Sequence, residues 1–126
     1  MTLLEPHDNP WRSPRRADDE AALCLLLEQA AAAAFGVAPR HLRARSRSSA
    51  PVAFARQAAM YLAHVALGLS YSEVGRLFRR DRTTAAYACQ LVEDRRDDPD
   101  VDLRLQMLEE LCSDVVIRLV APQAAQ

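Results

Sequence analysis

Lysine is absent from the 126-residue sequence, and glycine and cysteine occur only three times each. No apolar run reaches the roughly eighteen residues that a membrane-spanning helix needs. The N-terminus has acids and prolines where a signal peptide has a basic and then an apolar stretch. These absences predict a cytoplasmic protein that does not bind membranes. The length fits one domain with a modest core and possible tails.

Residue patterns typical of catalytic and metal-binding sites are also missing. Cys24, Cys89 and Cys112 are far apart in the sequence and lie among apolar residues. This odd number of cysteines favours buried, reduced thiols over disulfides or a zinc site. The carboxylates and histidines form no recognisable acid–base or metal-binding pattern. We therefore expect a protein that is not an enzyme, with no metal, cofactor or small-molecule substrate.

What the sequence does contain is an uneven distribution of charge around a net charge of −1. Residues 40–82 hold nine arginines against two acids, a local charge of +7, whereas the segments before and after this block carry −3 and −5. A basic block inside an acidic chain is typical of a protein that binds a polyanion and keeps its acidic flanks away from it.

The middle of the sequence, residues 69–94, predicts a helix-turn-helix. Ser70 and Glu73 form a capping box, in which each side chain satisfies a backbone donor at the start of a helix near Tyr71. An apolar stripe at helical spacing follows, made of Val74, Leu77 and Phe78. Gly75 costs this helix about 1 kcal/mol relative to alanine. We therefore expect a second backbone to pass too close to Gly75 for a Cβ.

The second helix of this unit is expected to begin after Asp81, a good N-cap residue. Its apolar positions are Ala85, Ala88, Cys89 and Val92. Arg82 and the two threonines after it occupy the first turn, where a recognition helix enters the major groove and free N–H groups attract phosphate. Arginine can bind guanine through two hydrogen bonds, and threonine offers a hydroxyl and a methyl group to the bases. The alternative is that residues 79–84 are only a solvated loop before a capped helix.

The N-terminal part of the chain predicts a tail and then a helix. Residues 1–17 contain three prolines and no periodicity, so we expect a flexible tail there, and residues 121–126 predict a frayed C-terminus. Residues 18–36 predict a helix that is apolar on nearly every side and ends at Gly36. Such a helix lies either in the core or against a partner, which is a second copy of the chain or a replication protein.

Prolines mark the starts of three further helices, expected over residues 39–42, over residues 51–67 and from residue 99 onward. Asp100 is expected to cap the last helix, which closes the core. Its apolar residues at helical spacing are Val101, Leu105, Leu108, Leu111, Val115 and Leu119. The predicted fold is all-α, with about five to six helices in a single domain over residues 18–120.

A polar and basic segment, RARSRSSAP, links two of these helices over residues 43–51. Its composition predicts irregular structure. It can lie along phosphates, and an arginine arm of this kind can also enter a minor groove beside a recognition helix. The alternative is a solvated loop without a role in binding.

With these residues in view, residues 37–111 resemble the C-terminal DNA-binding domain of the bacterial chromosomal replication initiator DnaA. The resemblance rests on the motifs RSRS (45–48), ARQAAMYLA (55–63), LSYSEVGRLF (69–78) and RDRTT (80–84), the last followed by AC (88–89). In that family a small helical domain reads a short DNA box. The RDHTT-type motif enters the major groove, and an arginine of the RSRS-type segment enters the minor groove.

The resemblance implies a role for each matching residue. It implies that the major-groove bases are read by Asp81, Arg82, Thr83 and Thr84. It also implies that Arg45 enters the minor groove. The residues expected to contact phosphates are Arg43, Arg47, Arg56, Gln57, Arg79 and Arg80. The sequence departs from the family pattern at two places in this motif. Arg82 replaces a histidine, and the glycines that precede the motif in the family are replaced by Arg79, so that this stretch is one residue shorter. The stretch between RSRS and ARQ is also about three residues longer.

An initiator hydrolyses and senses ATP, yet this sequence has no GxxxxGK[ST] phosphate loop. We therefore expect a free-standing relative of the initiator's DNA-binding domain, not the initiator itself. It is expected to bind double-stranded DNA in the nucleoid and to regulate replication initiation or transcription. The alternative is an adaptor that keeps the fold but acts by binding replication proteins, including a partner held through the helix at residues 18–36.

Overall fold

The computed structural model describes the backbone of residues 17–42 and 49–124, and the side chains of residues 20–38, 40–42 and 49–114. Within those ranges all regular structure is helical. The six helices are α1 (Ala17–Phe35), α2 (Pro39–Leu42), α3 (Ala50–Val65), α4 (Tyr71–Phe78), α5 (Arg82–Arg95) and α6 (Pro99–Ala124). The predicted all-α fold with a helix-turn-helix is confirmed.

The ends of the helices follow local signals, with one exception. The helices α2 and α4 span the predicted residues, and Gly36 ends α1 with a left-handed φ of 69°. The predicted cap of α6 is wrong. The Asp98 carboxylate accepts a hydrogen bond from the backbone N–H of Asp100 at 2.9 Å, so Asp98 caps the helix and Asp100 lies in its first turn. This helix also continues to Ala124, into the segment that was expected to fray.

Helix α3 is the centre of the core. Four of its nine buried residues are alanines, and Ala58, Ala59 and Ala63 are fully buried beside Leu62. These small side chains allow other helices to pack closely against α3, and its main neighbours are α1 and α5. Helix α3 is therefore the scaffold of the helix-turn-helix, since it packs directly against α5.

Most of the apolar surface of α1 lies in the core. Leu23, Leu27 and Ala31 are buried in the main cluster, whereas Leu26 is 50% exposed. The remaining exposed positions on this helix are small or polar side chains. This packing favours the core alternative for α1, and its role as a partner-binding surface stays a prediction.

Helix α6 buries one face and exposes another. Val101, Leu105, Leu108 and Cys112 are buried, but Leu111, which we expected in the core, is 52% exposed. Residues 101, 105, 108 and 112 lie on one side of a helix with 3.6 residues per turn, and residue 111 lies on another. The side chains of Val115 and Leu119 are outside the described residues. None of the described helices is long and apolar enough to cross a membrane.

An ion-pair network fixes the C-terminal end of α5. The Tyr61 hydroxyl on α3 donates to Glu93 Oε2 on α5 at 2.6 Å and accepts from Arg96 Nη1 at 3.0 Å. Arg96 also donates to Asp102 and Glu109 of α6 at 2.6 and 2.7 Å. Burial and the hydrogen bond to Glu93 raise the pKa of Tyr61 to about 12, so the hydroxyl keeps its proton at neutral pH. The network therefore ties three helices together.

The cysteines are free thiols. Cys89 and Cys112 are buried as expected, whereas Cys24 is only half-buried. Burial raises the pKa of Cys89 to about 11, and burial together with Glu109 raises that of Cys112. Because the thiolate is the nucleophile and the metal ligand, neither buried cysteine is poised for that chemistry.

Candidate nucleic-acid interface

The first helix of the helix-turn-helix, α4, begins with the predicted capping box. Ser70 Oγ accepts from the backbone N–H of Glu73 at 3.1 Å, and the Glu73 carboxylate accepts from the N–H of Ser70 at 2.7 Å. Val74 and Phe78 are buried, so the predicted apolar stripe packs into the core. This end of the unit is thus fixed by both hydrogen bonds and packing.

The turn between α4 and α5 is three residues long and has a strained first residue. Arg79 adopts the left-handed conformation, with φ 59° and ψ 44°, which glycine usually occupies at the end of a helix. The next amide, that of Arg80, donates to Gly75 O at 2.8 Å. A Cβ at Gly75 would lie 2.6 Å from the carbonyl oxygen of Arg80. The prediction of a close backbone approach at Gly75 is therefore confirmed, and the backbone is that of the turn.

Helix α5 begins with an exposed set of polar side chains. The Asp81 carboxylate accepts from the backbone N–H of Thr84 at 2.7 Å, which confirms the predicted N-cap. Hydrogen bonds from the Thr84 backbone and side chain lower the pKa of Asp81. Asp81, Arg82, Thr83 and Thr84 are all exposed at this end of the helix. The cap uses one acceptor site of the Asp81 carboxylate, and the other acceptor sites stay available to a base.

The nine arginines whose side chains the structure describes fall into two groups. Five of them have partners: Arg56 on backbone carbonyls, Arg76 on Glu20, Arg95 on the Phe54 ring, Arg96 on Asp102 and Glu109, and Arg104 on Asp100. Four others, Arg40, Arg79, Arg80 and Arg82, make no side-chain hydrogen bond, ion pair or ring contact with the described residues and are exposed. All four lie in the basic block, and three surround the start of α5. Their charge is thus available to an external anion.

A cleft of about 670 Å³ lies beside this turn and gathers three of the predicted phosphate-binding residues. It is lined by Ala21, Cys24, Glu28, Leu42, Arg56, Met60, Leu77, Phe78, Arg79 and Arg80. The residues come from α1, α2, α3 and the end of α4. The structure therefore brings Arg56 together with Arg79 and Arg80, although they are more than twenty residues apart in sequence.

Arg56 differs from its two neighbours in the cleft. Its Nε donates to Leu42 O at 3.1 Å and its Nη2 to His41 O at 3.4 Å. Partial burial lowers its pKa first, the nearby Arg80 lowers it further, and Glu28 opposes both effects. The side chain is therefore engaged inside the protein, and its predicted contact to phosphate stays a prediction.

The other predicted residues are placed less completely. Gln57 is half-buried near the middle of α3. Arg43, Arg45 and Arg47 lie outside the described residues. Tyr87, which our sequence analysis did not select, is 64% exposed one helical turn after Thr83. The sequence could have indicated Tyr87 through its i+4 spacing from Thr83, because residues four apart share one face of a helix.

Comparisons with known proteins agree with this geometry. A family model described as the bacterial DnaA protein helix-turn-helix matches residues 26–92. The chain is also 35% identical over 72 residues to the chromosomal replication initiator protein DnaA 1 of Chlamydia muridarum. That match covers 57% of this chain and 16% of the initiator, so the chain spans only a small part of its relative. Since the family match covers more than half of the sequence and includes α3, α4 and most of α5, the chain belongs to the bacterial DnaA helix-turn-helix family of DNA-binding domains.

Proposed function

We propose that this protein is a sequence-specific binder of double-stranded DNA that regulates replication initiation or transcription in the nucleoid. The recognition helix α5 enters the major groove, where Asp81, Arg82, Thr83 and Thr84 read bases. Arg79 and Arg80 bind phosphates beside the groove. Arg45 reads the minor groove, with Arg43 and Arg47 on the backbone next to it.

The observation that carries this proposal is the group of exposed arginines at the start of α5. Arg79, Arg80 and Arg82 have no partner among the described side chains, whereas Arg76, Arg96 and Arg104 are each paired with an acid within the fold. Phosphate contacts by arginine are the main source of affinity for DNA. Unpaired guanidinium groups at the N-terminus of an exposed helix can therefore contact the bases of one groove and the phosphates of the two strands that flank it.

The proposal is tested by selecting duplexes from a random DNA pool and measuring their affinity as a function of salt. The salt slope is the magnitude of the decrease of log K with log salt concentration, and each phosphate contact increases it by about 0.9. We expect a steep slope and an enriched sequence. A pool without enrichment, or an affinity that is independent of salt, would refute sequence-specific DNA binding.

Base reading is tested separately with alanine at Arg82 or Thr84. Each substitution should lower specific binding by about 1 to 3 kcal/mol and change non-specific affinity much less. Equal losses on the selected duplex and on random duplexes would contradict the assignment of these two residues. Replacing both Arg45 and Arg47 should lower the salt slope by roughly 2. An unchanged slope would place that segment away from the DNA.

The alternative function is an adaptor that binds replication proteins. One observation favours it: Leu103, Met107 and Leu111 are each more than half exposed and lie four residues apart on the free face of α6. A contiguous apolar patch on a soluble protein often marks a protein-binding surface. Binding through such a surface should depend little on salt, so the salt titration also distinguishes the two functions.

A further inference from the structure

Helix α5 presents one continuous exposed face on the side away from the core. Its buried residues are Ala85, Ala88, Cys89 and Val92. At about 100° per residue, Thr83, Tyr87 and Gln90 lie within about 60° of one another and directly opposite that buried face. Tyr87 is 64% exposed, and Thr83 and Gln90 are exposed as well. These three side chains form a stripe along the helix, which we call the outer stripe.

The outer stripe is uncharged, and it lies between a basic start and an acidic end of α5. Residues 83–92 contain no charged side chain, and Glu93 and Asp94 follow them. The residues before them include Arg79, Arg80 and Arg82. Phosphates attract the arginines and repel the acids. With α5 in a groove, the arginines therefore lie near the phosphates, the neutral stripe faces the bases, and the acids mark the end of the contact.

Asp94 fixes the orientation of the Gln90 amide. Gln90 Nε2 donates to Asp94 Oδ1 at 3.1 Å, one helical turn further along α5. An ionised carboxylate only accepts hydrogen bonds, so the amide nitrogen and not the amide oxygen has to point towards Asp94. The second N–H and the carbonyl oxygen of Gln90 have no partner among the described residues. One donor and one acceptor are thus available side by side.

This donor and acceptor match adenine in the major groove. Adenine presents the acceptor N7 and the donor N6 there, and a glutamine amide binds both. Guanine presents two acceptors, N7 and O6, at the corresponding positions. Because Asp94 holds one N–H of Gln90, only one donor remains, and the amide cannot satisfy both acceptors of guanine. The pair of Gln90 and Asp94 therefore distinguishes adenine from guanine.

From these observations we infer that the base-reading face of α5 extends beyond its first turn along the outer stripe, and that Gln90 selects an A·T pair. The inference rests on the proposed DNA-binding function and adds to it a residue that determines specificity. Thr83 and Gln90 are about 10.5 Å apart along the helix axis, which corresponds to about three base pairs. Tyr87 lies between them and contacts the bases through its ring. Recognition helices of other DNA-binding folds also read bases over two turns of one face.

The experiment is the selection of duplexes from a random pool by the wild-type protein and by Gln90→Ala. Gln106→Ala, which replaces an exposed glutamine of α6, is the matched control. We expect the wild type to require an A·T pair at one position and Gln90→Ala to lose this requirement at that position alone. Affinity of Gln90→Ala for the wild-type duplex should fall by roughly five- to a hundredfold. The salt slope should not change, because no charge is removed. The control should select the wild-type sequence.

Three further variants test how the stripe reads DNA. Gln90→Arg should change the preferred pair at the same position from A·T to G·C, because arginine binds N7 and O6 of guanine. Asp94→Ala should weaken the preference at that position only, because the amide of Gln90 is then free to rotate. Tyr87→Ala should lower affinity for the selected duplex more than affinity for random duplexes.

The inference is overturned if Gln90→Ala selects the wild-type sequence with wild-type affinity, or if it weakens selected and random duplexes equally. An unchanged A·T pair in Gln90→Arg would overturn it as well. An unchanged preference in Asp94→Ala refutes the orienting role of that residue, and equal losses in Tyr87→Ala remove Tyr87 from the stripe. If the wild type selects no sequence, the proposed function fails too, whereas failure of the variants alone leaves it intact. Circular dichroism confirms that each variant is folded.

Discussion

Replacing Gly75 by alanine tests how closely the turn of the helix-turn-helix packs on α4. On an open helix this change would stabilise the protein by about 1 kcal/mol, because alanine has the higher helix propensity. Here the new Cβ would lie 2.6 Å from the Arg80 oxygen and 3.1 Å from the carbonyl carbon of Asp81. Both atoms belong to the backbone, so no side chain can rotate away to relieve the contact.

The size of the effect follows from these distances. Carbon and oxygen need about 3.4 Å, so the Arg80 carbonyl has to withdraw by about 0.8 Å. The hydrogen bond from the Arg80 N–H to Gly75 O opposes that movement. Overpacking of this kind costs up to about 3 kcal/mol. After subtraction of the gain in helix propensity, we expect Gly75→Ala to lower the free energy of unfolding by about 2 kcal/mol.

DNA binding should suffer beyond the loss of stability. Asp81, which caps α5, directly follows the displaced residue, and a binding site tolerates errors of only about 0.5 Å. We expect specific affinity to fall roughly tenfold or more under conditions where the variant is still folded, as for the loss of one base contact.

The assay is urea unfolding followed by circular dichroism, together with a binding titration on the selected duplex. Ser72→Ala, an exposed position on the same helix, is the matched control and should change stability by less than about 0.5 kcal/mol. If Gly75→Ala instead stabilises the protein by about 1 kcal/mol and leaves DNA binding intact, the close approach does not exist in solution.

Four further outcomes follow from the structure. Arg79→Gly should raise the free energy of unfolding by about 0.5 to 1 kcal/mol. It removes a left-handed strain of about 1 to 2 kcal/mol, and the greater chain entropy of glycine in the unfolded state offsets part of that gain. A lower urea midpoint would contradict this prediction. Tyr61→Phe should destabilise by about 0.5 to 1.5 kcal/mol, because it removes the hydrogen bonds of the hydroxyl to the exposed Glu93 and the half-buried Arg96. A change near zero would show that the network is not coupled to stability. Because the pKa of Asp81 is lowered in the folded protein, its cap contributes its full stabilisation above the ordinary pKa of 3.8. This stabilisation is lost as the pH falls through the lower pKa of the folded state. The difference in urea midpoint between wild type and Asp81→Ala should therefore shrink below pH 3.8, and a constant difference would argue against the cap. Deleting residues 1–35 should unfold the protein, because α1 supplies part of the core, and a folded, DNA-binding product would instead make α1 an interface.

The parts of the fold that could be predicted from sequence depend on interactions within one helical turn. The capping box at Ser70 and the N-cap at Asp81 each involve residues three apart, so their patterns are visible in the sequence. Asp98 was missed because three neighbouring acids offer equivalent caps, and only the backbone decides among them. Leu111 was misplaced because α6 carries apolar residues on more than one side, so periodicity alone does not identify the buried face.

Long-range contacts could not be predicted in this way. Arg56 reaches Leu42 across 14 residues and Arg96 reaches Tyr61 across 35, and in both cases the partner is chosen by how the helices pack. The basic block was visible in the sequence as a count of charges. Its division into paired and unpaired arginines depends on which acids and carbonyls lie within reach in three dimensions.

That division has a consequence for how this family can diversify. Arg79, Arg80 and Arg82 hold no other described side chain in place. Substitutions at Arg80 and Arg82 should therefore change stability by no more than about 0.5 kcal/mol, as at other open surface positions, whereas glycine at Arg79 should change it more because it relieves the left-handed strain. Arg96, which joins Tyr61, Asp102 and Glu109, is under a different constraint, because its loss removes the contacts that tie three helices together. Under the proposed function, a lineage can acquire a new preferred DNA sequence by changing the proposed base-reading residue Arg82 while the same scaffold persists. Relatives of this chain that use different DNA sites should accordingly differ more at Arg82 than at Arg96.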